Sequence, residues 1–220
     1  WNFFPSYSPD GNKIAFISDW ENESFQFSLY LLELSSGKLT RLQKRHLYPA
    51  PLGWSHDGTR LVFVSDKDNR SDLFLYDLAG KKSKRIKQQL RVNSFPAFLP
   101  GDDELGFVAT VNGYADIYKI NLEDGKVTPL TQTMNDEAYP RWSSDGKFLV
   151  FSREYEMQYD LVLKDLTSGK ETRLTETSQD EIWPFFLAEA KAILFVSDET
   201  GIFNLHLLDL QNGASSRLTK

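Results

Sequence analysis

The ten residues "YSPDGNKIAF" at 7–16 have the composition of a tight β-hairpin: an aromatic residue, a polar turn and an apolar strand. Within the turn, Pro9 fixes one φ angle, Asp10 can hydrogen-bond the nearby backbone, and Gly11 can adopt a positive φ. The pattern returns as "WSHDGTRLVF" (54–63) and "WSSDGKFLVF" (142–151). A hairpin that recurs along one chain indicates a repeat architecture.

The repeat has a period of 44 residues. Its apolar markers are Phe16, Phe63, Phe107, Phe151 and Phe195, and Leu34, Leu78, Leu122, Leu166 and Leu210. Successive leucines are 44 residues apart throughout, whereas Phe63 follows Phe16 by 47. The three additional residues of the first repeat therefore lie between Phe16 and Leu34, where they lengthen one loop without changing the register.

Each repeat contains four short strand patterns separated by turn residues. In the fourth repeat they are "AYPRWS" (138–143), "FLVFS" (148–152), "DLVLKDL" (160–166) and "ETRLT" (171–175). Four antiparallel strands per repeat favour a β-propeller over a solenoid of hairpins, because radial repetition leaves only short strand edges. The predicted fold class is all-β, a β-propeller with five four-stranded antiparallel blades in this chain.

We expect residues 1–220 to form a single β-propeller domain, since most domains contain about 50 to 250 residues. The period places the blades at about 1–44, 45–88, 89–132, 133–176 and 177–220. These blades leave no strand to join the first to the last. We expect a ring of six or more blades with the remainder outside this chain, the alternative being five blades closed by side-chain packing.

Three further expectations concern repeat positions. The aromatic residues one position before the turn should pack between blades; they are Tyr7, Trp54, Phe98, Trp142 and Phe186. The acid or amide that opens each third strand should cap the preceding loop; these residues are Asp72, Asp116, Asp160 and Asn204. In the fifth repeat Ala190 replaces the turn glycine, which predicts a different turn there.

Composition limits the possible partners. The chain has 31 acidic and 25 basic residues and a net charge of −6, which argues against nonspecific nucleic-acid binding. It has no cysteine, so disulfides, thiolate metal sites and cysteine nucleophiles are excluded. No apolar run approaches the roughly 20 residues of a membrane-spanning helix, so we expect no membrane insertion.

The residues offer little for catalysis. His46, His56 and His206 occupy unrelated positions in the repeats and should not converge on one metal or substrate. None of the spacings typical of nucleophile elbows, phosphate-binding loops, zinc proteases or EF-hands occurs. Paired loop acids such as Asp136 and Glu137 are more common as solvated residues than as acid-base pairs. We predict no catalytic residue, no metal and no cofactor in this chain.

The hairpin belongs to a longer pattern, aromatic-Pro-x-aromatic-Ser-Pro-Asp-Gly followed by an apolar strand, with Arg-Leu-Thr at the end of the repeat. It is met by "FPSYSPDGNKIAF" (4–16), "YPRWSSDGKFLVF" (139–151), "TRLT" (172–175) and "SRLT" (216–219). On these residues the chain resembles the repeats of TolB-like propellers. The resemblance implies a bacterial module, periplasmic or exported, that binds other proteins.

The repeats differ most in the loops between blades, where we expect the binding surface. The candidate partner-binding residues are Trp20, Lys44, Arg45, Arg91, Asn93, Glu137, Arg141, Tyr155, Asp180 and Glu181. The early loops are basic and the later ones acidic, a division that would orient a complementary partner. Arg141 replaces small residues of other repeats, so we expect it to enter the channel and meet Glu137 or Glu181. Trp20 is the expected exposed aromatic anchor.

The predicted function is therefore a noncatalytic module that binds a protein or peptide through its interblade-loop face and central channel. Two alternatives remain open. One is an accessory, gating propeller of a prolyl oligopeptidase-like hydrolase whose catalytic domain lies outside this chain. The other is a polysaccharide-active enzyme with its site in the channel.

Overall fold

The computed structural model describes residues 1–20, 26–47, 50–66, 71–187 and 191–219, without the side chains of Arg45, His46 and Asn93. These ranges contain twenty β-strands, and no helix in them is long and apolar enough to cross a membrane. The predicted unusual turn at Ala190 lies outside the described residues.

The strands of the first two blades are β1 (Asn2–Tyr7), β2 (Lys13–Ser18), β3 (Phe27–Glu33), β4 (Leu39–Leu47), β5 (Gly53–Trp54), β6 (Arg60–Ser65), β7 (Asp72–Asp77) and β8 (Lys82–Arg85). Those of the third and fourth are β9 (Val92–Phe98), β10 (Glu104–Val111), β11 (Tyr114–Asn121), β12 (Val127–Pro129), β13 (Glu137–Trp142), β14 (Phe148–Tyr155), β15 (Gln158–Asp165) and β16 (Glu171–Arg173). The fifth has β17 (Glu181–Leu187), β18 (Ala192–Ser197), β19 (Asn204–Asp209) and β20 (Ser215–Arg217).

The sheets confirm the predicted fold class. Strands β9 to β12, β13 to β16 and β17 to β20 form three four-stranded sheets. The first two blades share one eight-stranded sheet, because Leu47 of β4 pairs with Ser65 of β6. The protein is thus all-β, with five four-stranded antiparallel blades of the β-propeller type.

The link between the first two blades differs from the interblade loop expected near the blade boundary at 44 and 45. Strand β4 continues through Lys44 to Leu47, so the chain crosses the expected blade boundary in an extended conformation. The physical reason is the pairing of Leu47 with both Phe27 and Ser65, which extends the ladder beyond the first blade.

The chain divides into two compact units, one of Trp1–Val111 with Tyr118–Pro129 and one of Asn112–Ile117 with Leu130–Lys220. The first has two buried apolar clusters, one including Leu29 and Phe63 and the other including Phe107. The second packs Val150, Leu161, Ile193, Phe195 and Leu208 together. The assignment of residues 1–220 to a single domain stays a proposal.

The opening hairpin turn has the expected chemistry and one additional contact. Gly11 adopts a φ of 70° and donates its amide to the carbonyl of Ser8 at 2.9 Å. The Ser8 hydroxyl donates to Asp10 and accepts the amide of Lys13 at 2.9 Å. The hydrogen bond from Ser8, together with those from the amide and side chain of Asn12, lowers the pKa of Asp10 to about 2. The turns at Ser55 and Ser143 repeat the same contacts.

The aromatic residues before the turns are buried or half-buried with one exception. Trp54 and Phe98 are buried, and Trp142 and Phe186 are half-buried. The expectation is wrong for Tyr7, whose side chain is 64% exposed. Trp54, by contrast, contacts the preceding blade, since its indole Nε1 donates to the carbonyl of Ser6 at 3.0 Å.

We predict that Gly11→Ala lowers the free energy of unfolding by about 1 kcal/mol, because an L side chain disfavours the positive φ. No atom lies within 4 Å of the added methyl group, so the effect is backbone strain alone. Urea denaturation measures it. The control is Gly80→Ala, at a glycine without positive φ, which should change the value by less than about 0.5 kcal/mol. Equal stabilities of the two variants would contradict the turn assignment.

Candidate functional site

The aspartate near the start of the third strand accepts a backbone amide from the interblade loop that follows its blade. Asp116 Oδ1 accepts the amide of Thr133 at 3.0 Å, and Asp160 Oδ1 accepts the amide of Thr177 at 3.4 Å. The expectation of a cap on the preceding loop is therefore wrong for these two acids. Asn204 does bond its preceding loop, through the Thr200 hydroxyl at 3.1 Å.

The interblade loops are drawn back over the third strands by threonine hydroxyl groups. Thr131 Oγ1 accepts the amide of Ile117 at 2.8 Å, and Thr175 Oγ1 accepts the amide of Leu161 at 2.8 Å. Thr175 also donates to Asp160 at 3.2 Å. The threonine that ends the Leu-Thr motif thus joins the fourth strand to the third.

Two buried glutamates complete the same arrangement. The Thr133 hydroxyl donates to Glu137 at 3.0 Å, and the Thr177 hydroxyl donates to Glu181 at 2.7 Å. Glu137 and Glu181 are only 1% and 3% exposed. We call each set an Asp-Thr-Glu clamp: the first clamp is Asp116, Thr131, Thr133 and Glu137, and the second clamp is Asp160, Thr175, Thr177 and Glu181.

The two clamps differ in charge compensation. Arg153 Nε donates to Glu137 at 2.8 Å, and its Nη1 donates to Glu171 at 2.8 Å. Burial raises the pKa of Glu137, and the Arg153 guanidinium opposes that rise. In the second clamp Ser197 stands at the position of Arg153 and donates to Glu181 at 3.3 Å. Burial raises the pKa of Glu181 to about 7.

The other loop acids also serve the fold. Asp136 Oδ1 accepts the amide of Ala115 at 2.8 Å, and Asp180 Oδ1 accepts the amide of Tyr159 at 3.0 Å. With Glu137 and Glu181 buried, these four acids bond within the protein itself, whereas Glu176 of the same loop stays largely exposed. The structure therefore gives the second unit a smaller open acidic surface than the sequence suggested.

Arg141 does not meet either expected partner. No carboxylate of the described residues lies within 4.0 Å of its guanidinium, and its Nη1 donates only to the carbonyl of Pro140, at 3.2 Å. Burial lowers the pKa of Arg141. Arg141 is therefore a half-buried cation on β13 that has no counter-ion among the described residues.

Three aromatic residues of the second unit that are not among the predicted candidates form a cluster. The rings of Tyr139 and Trp183 have centroids 4.6 Å apart, and Tyr159 meets Tyr139 edge-on at 6.3 Å. Tyr139 and Trp183 adopt positive φ angles of 56° and 55° at bulges in β13 and β17. The bulges redirect these side chains. The available signal was the aromatic-proline pair that recurs at the equivalent position in four of the five repeats, as Phe4-Pro5, Phe95-Pro96, Tyr139-Pro140 and Trp183-Pro184.

The remaining candidate of the second unit, Tyr155, already has an internal partner. The Arg173 guanidinium lies 4.1 Å from the centre of the Tyr155 ring, a cation-π contact. The following residues, Glu156 and Met157, have φ angles of 52° and 69° and form the tight turn between β14 and β15.

The candidates of the first unit are exposed where the structure describes them. Trp20 is 55% exposed, and its carbonyl accepts the Tyr30 hydroxyl at 2.6 Å. Lys44 lies exposed in β4, and Arg91 is exposed before β9. The structure does not describe the side chains of the other two candidates, Arg45 and Asn93.

The histidines lie in separate environments. His56 Nδ1 lies 2.7 Å from Asp102, whose carboxylate also accepts the His56 and Asp57 amides. His206 is buried with its ring 5.4 Å from that of Phe195. Within the described ranges, no group of three or more His, Asp and Glu residues is arranged to hold a metal ion.

A groove in the first unit has a volume of about 410 Å³. Lys84, Arg85 and Lys87 line one side, and Glu123 and Asp124 lie on the other. The groove is therefore lined by charges of both signs, and Arg85 pairs with Asp72 at 2.5 Å.

Five repeated four-stranded antiparallel blades define the protein as a β-propeller. The family profile described as the TolB beta propeller domain matches residues 2–220, and the chain belongs to this family. No curated protein sequence matches significantly.

Solved structures show the same fold. TolB from Acinetobacter baumannii is similar with 22% identity and a TM-score of 0.86, over 100% of this chain and 54% of that one. A putative TolB from Agrobacterium tumefaciens has 18% identity and a TM-score of 0.82, over 99% and 80%. A puromycin-hydrolyzing peptidase of Mycobacterium tuberculosis has 14% identity and a TM-score of 0.77, over 98% and 37%. The chain thus spans about half of the Acinetobacter protein.

The turn at Glu156 and Met157 yields a prediction about stability at the loop edge. The third blade has Asn112 and Gly113 at the equivalent positions, with φ angles of 54° and 93°. Replacing Glu156→Asn and Met157→Gly together should raise the free energy of unfolding by about 1 kcal/mol, because Asn-Gly favours this turn. Thermal denaturation checks the result.

The reciprocal exchange is the control. Asn112→Glu with Gly113→Met should destabilise the protein by a similar amount. If both exchanges change stability in the same direction, backbone conformation does not determine the preference.

Proposed function

We propose that this chain is a noncatalytic protein- or peptide-binding module that engages its partner through the interblade-loop face. The observation that carries the proposal is Arg141. A guanidinium that is largely removed from water without a counter-ion is unfavourable in the free protein. A carboxylate from a partner, either a side chain or a peptide C-terminus, would compensate it with charge-assisted hydrogen bonds.

The neighbouring aromatic residues support the same role. Tyr139 lies two residues before Arg141, and it contacts both Trp183 and Tyr159. All three aromatic residues are partly exposed. Aromatic side chains together with arginine are the residue types that most often dominate binding energy at protein interfaces. The preferred partner would therefore present a carboxylate next to an apolar group.

Family membership supports a binding role and an exported or periplasmic location, as the resemblance to TolB-like propellers implies. The peptidase of Mycobacterium tuberculosis favours a second candidate, because this chain aligns with 37% of that longer hydrolase. Under this candidate the chain is the gating propeller of a larger enzyme. The full-length reading frame distinguishes the two, since a serine-nucleophile elbow beyond this chain would favour the hydrolase.

Selection from a random 12-residue peptide library displayed on phage tests the binding proposal. We expect enrichment of peptides that carry a carboxylate. Arg141→Gln should weaken the binding of the selected peptide by roughly 10- to 100-fold, since a hydrogen bond to a charged group contributes about 1.5–3 kcal/mol.

The matched control is Arg217→Gln, which removes the same charge from an exposed position in β20 and should leave affinity unchanged. Absence of any enrichment would overturn the binding function. Enrichment with undiminished affinity of the Arg141 variant would instead overturn the role of Arg141.

Trp20 gives an independent prediction in the first unit. If its exposed indole anchors a protein partner, Trp20→Ala should reduce the affinity of a selected ligand about tenfold or more, since anchors contribute over 1 kcal/mol. Isothermal titration calorimetry measures the affinity, and the melting temperature should stay unchanged. Unaltered binding would remove Trp20 from the interface.

A further inference from the structure

The two Asp-Thr-Glu clamps share the bond from the second threonine to the glutamate, but the first threonine donates to Glu137 in one clamp and to Asp160 in the other. Their arginines also differ, because Arg153 pairs with the glutamate of the first clamp and Arg173 pairs with the aspartate of the second. Arg153 lies directly across the β13–β14 ladder from Glu137, and Ser197 lies directly across the β17–β18 ladder from Glu181. Arg153 and Glu137 form a buried ion pair at 2.8 Å. A serine hydroxyl cannot neutralise a carboxylate, so Glu181 lacks the compensation that its counterpart has.

The surroundings of Glu181 favour its neutral form. Its Oε1 accepts the hydroxyls of Thr177 and Ser197, whereas its Oε2 is buried without a hydrogen-bond partner among the described residues. Burial raises the pKa of Glu181, and the negative charge of Asp160 adds to the rise. The threonine hydroxyls act in the opposite direction but do not cancel the effect.

Other charged groups near Glu181 do not supply the missing cation. The strands packed against β17 are β13, β14, β15 and β18. Their titratable and charged residues are Glu137, Tyr139, Arg141, Arg153, Glu154, Tyr155, Tyr159, Asp160, Lys164 and Asp165. Arg173, Glu176, Asp180 and Asp198 lie on the segments that adjoin them, and Arg173 pairs with Asp160. Arg153 pairs with Glu137 and Glu171, Lys164 with Glu171, and no described cation lies within 4.0 Å of Glu181.

We propose that Glu181 is a proton-controlled latch of the loop at 175–180, closed when its carboxyl group is neutral and released when it ionises. In the closed state Thr175 and Thr177 bond Asp160 and Glu181 at the same time. Ionisation of Glu181 places a second negative charge beside that of Asp160. Release of the loop lets water reach both carboxylates.

The direction of the pH effect follows from linkage. The folded-state pKa of Glu181, about 7, lies above the ordinary value of 4.5. Between these values the folded protein binds a proton that the unfolded chain has lost, so stability falls as pH rises. Between pH 5 and pH 8, this group alone should lower the folding equilibrium constant on the order of 50-fold.

Urea denaturation of the full chain at pH values from 5 to 8 tests the proposal with Glu181→Gln. The variant should lose the Glu181 part of the pH dependence, because its amide does not titrate. Glu176→Gln is the control on the same loop, since Glu176 is largely exposed, and it should retain the wild-type profile. A Glu181→Gln profile parallel to that of the wild type would overturn the proposal.

Two further variants test the proposal without relying on how the glutamine side chain of Glu181→Gln packs. Ser197→Arg supplies the missing guanidinium and should also remove the fall in stability between pH 5 and 8. Glu137→Gln is the same substitution in the first clamp. It should instead lower the folding equilibrium constant about tenfold or more at every pH from 5 to 8, because it leaves Arg153 without one partner. If Ser197→Arg folds and keeps the wild-type pH profile, Glu181 is not the titrating group.

Hydrogen exchange distinguishes a latch from a merely titrating residue. The amides of Thr177 and Gln179 are bonded within the clamped loop, to Asp160 and to the Thr177 hydroxyl. After correction for intrinsic exchange, their protection in the wild type should fall about tenfold or more from pH 5.5 to 8 and stay constant in Glu181→Gln. Protection that is independent of pH in both proteins would overturn the latch.

Discussion

The position of the interblade loops in the second unit depends on one hydrogen bond, in which a threonine hydroxyl accepts a backbone amide of the third strand. Thr131 and Thr175 make this bond to Ile117 and Leu161, each at 2.8 Å. This hydrogen bond holds the loop over the end of the third strand. There the aspartate of that strand, Asp116 or Asp160, accepts a further hydrogen bond from a loop amide. Each such hydrogen bond contributes only about 1 kcal/mol net, but leaving the buried groups unpaired would cost more. The clamp therefore determines the path of the chain between blades.

This constraint also determines which charges remain for a partner. Acidic residues that look like an exposed surface in the sequence are occupied by amides and hydroxyls of the protein. Asp180 caps β15, and Glu181 is buried in the second clamp. Arg141 of β13 differs from these acids, because it lies outside both clamps and pairs with no described carboxylate. The positive charge of Arg141, two residues after Tyr139 on β13, is thus a more informative feature of the second unit than its buried acids.

The repeat period was sufficient to predict the fold. The 44-residue spacing, the Ser-x-Asp-Gly turns and the lack of helical patterns led to five four-stranded blades, which the structure confirms. Equivalent positions did not have equal environments, however. Tyr7 is exposed although Trp54 is buried, because burial depends on the neighbouring blade and not on the repeat itself.

The candidate site was less predictable, because its properties arise from contacts between repeats. The sequence shows that Arg153 and Ser197 occupy equivalent positions, but only the strand register places them opposite Glu137 and Glu181. Positive φ angles at Tyr139 and Trp183 likewise follow from bulges that no propensity for these residues would predict. Charge compensation and side-chain direction are tertiary properties, and the repeat pattern alone does not determine them.

The most direct measurement for this account is the carboxyl carbon-13 resonance of Glu181, followed by NMR between pH 3 and 9 and assigned with Glu181→Gln. Only the first clamp pairs its glutamate with an arginine, since the arginine of the second clamp, Arg173, pairs with Asp160 instead. The buried Glu181 carboxyl group should therefore titrate with a midpoint near 7. A midpoint near the ordinary glutamate value of 4.5 would contradict the account, because the second clamp would then compensate its buried charge without a counter-ion.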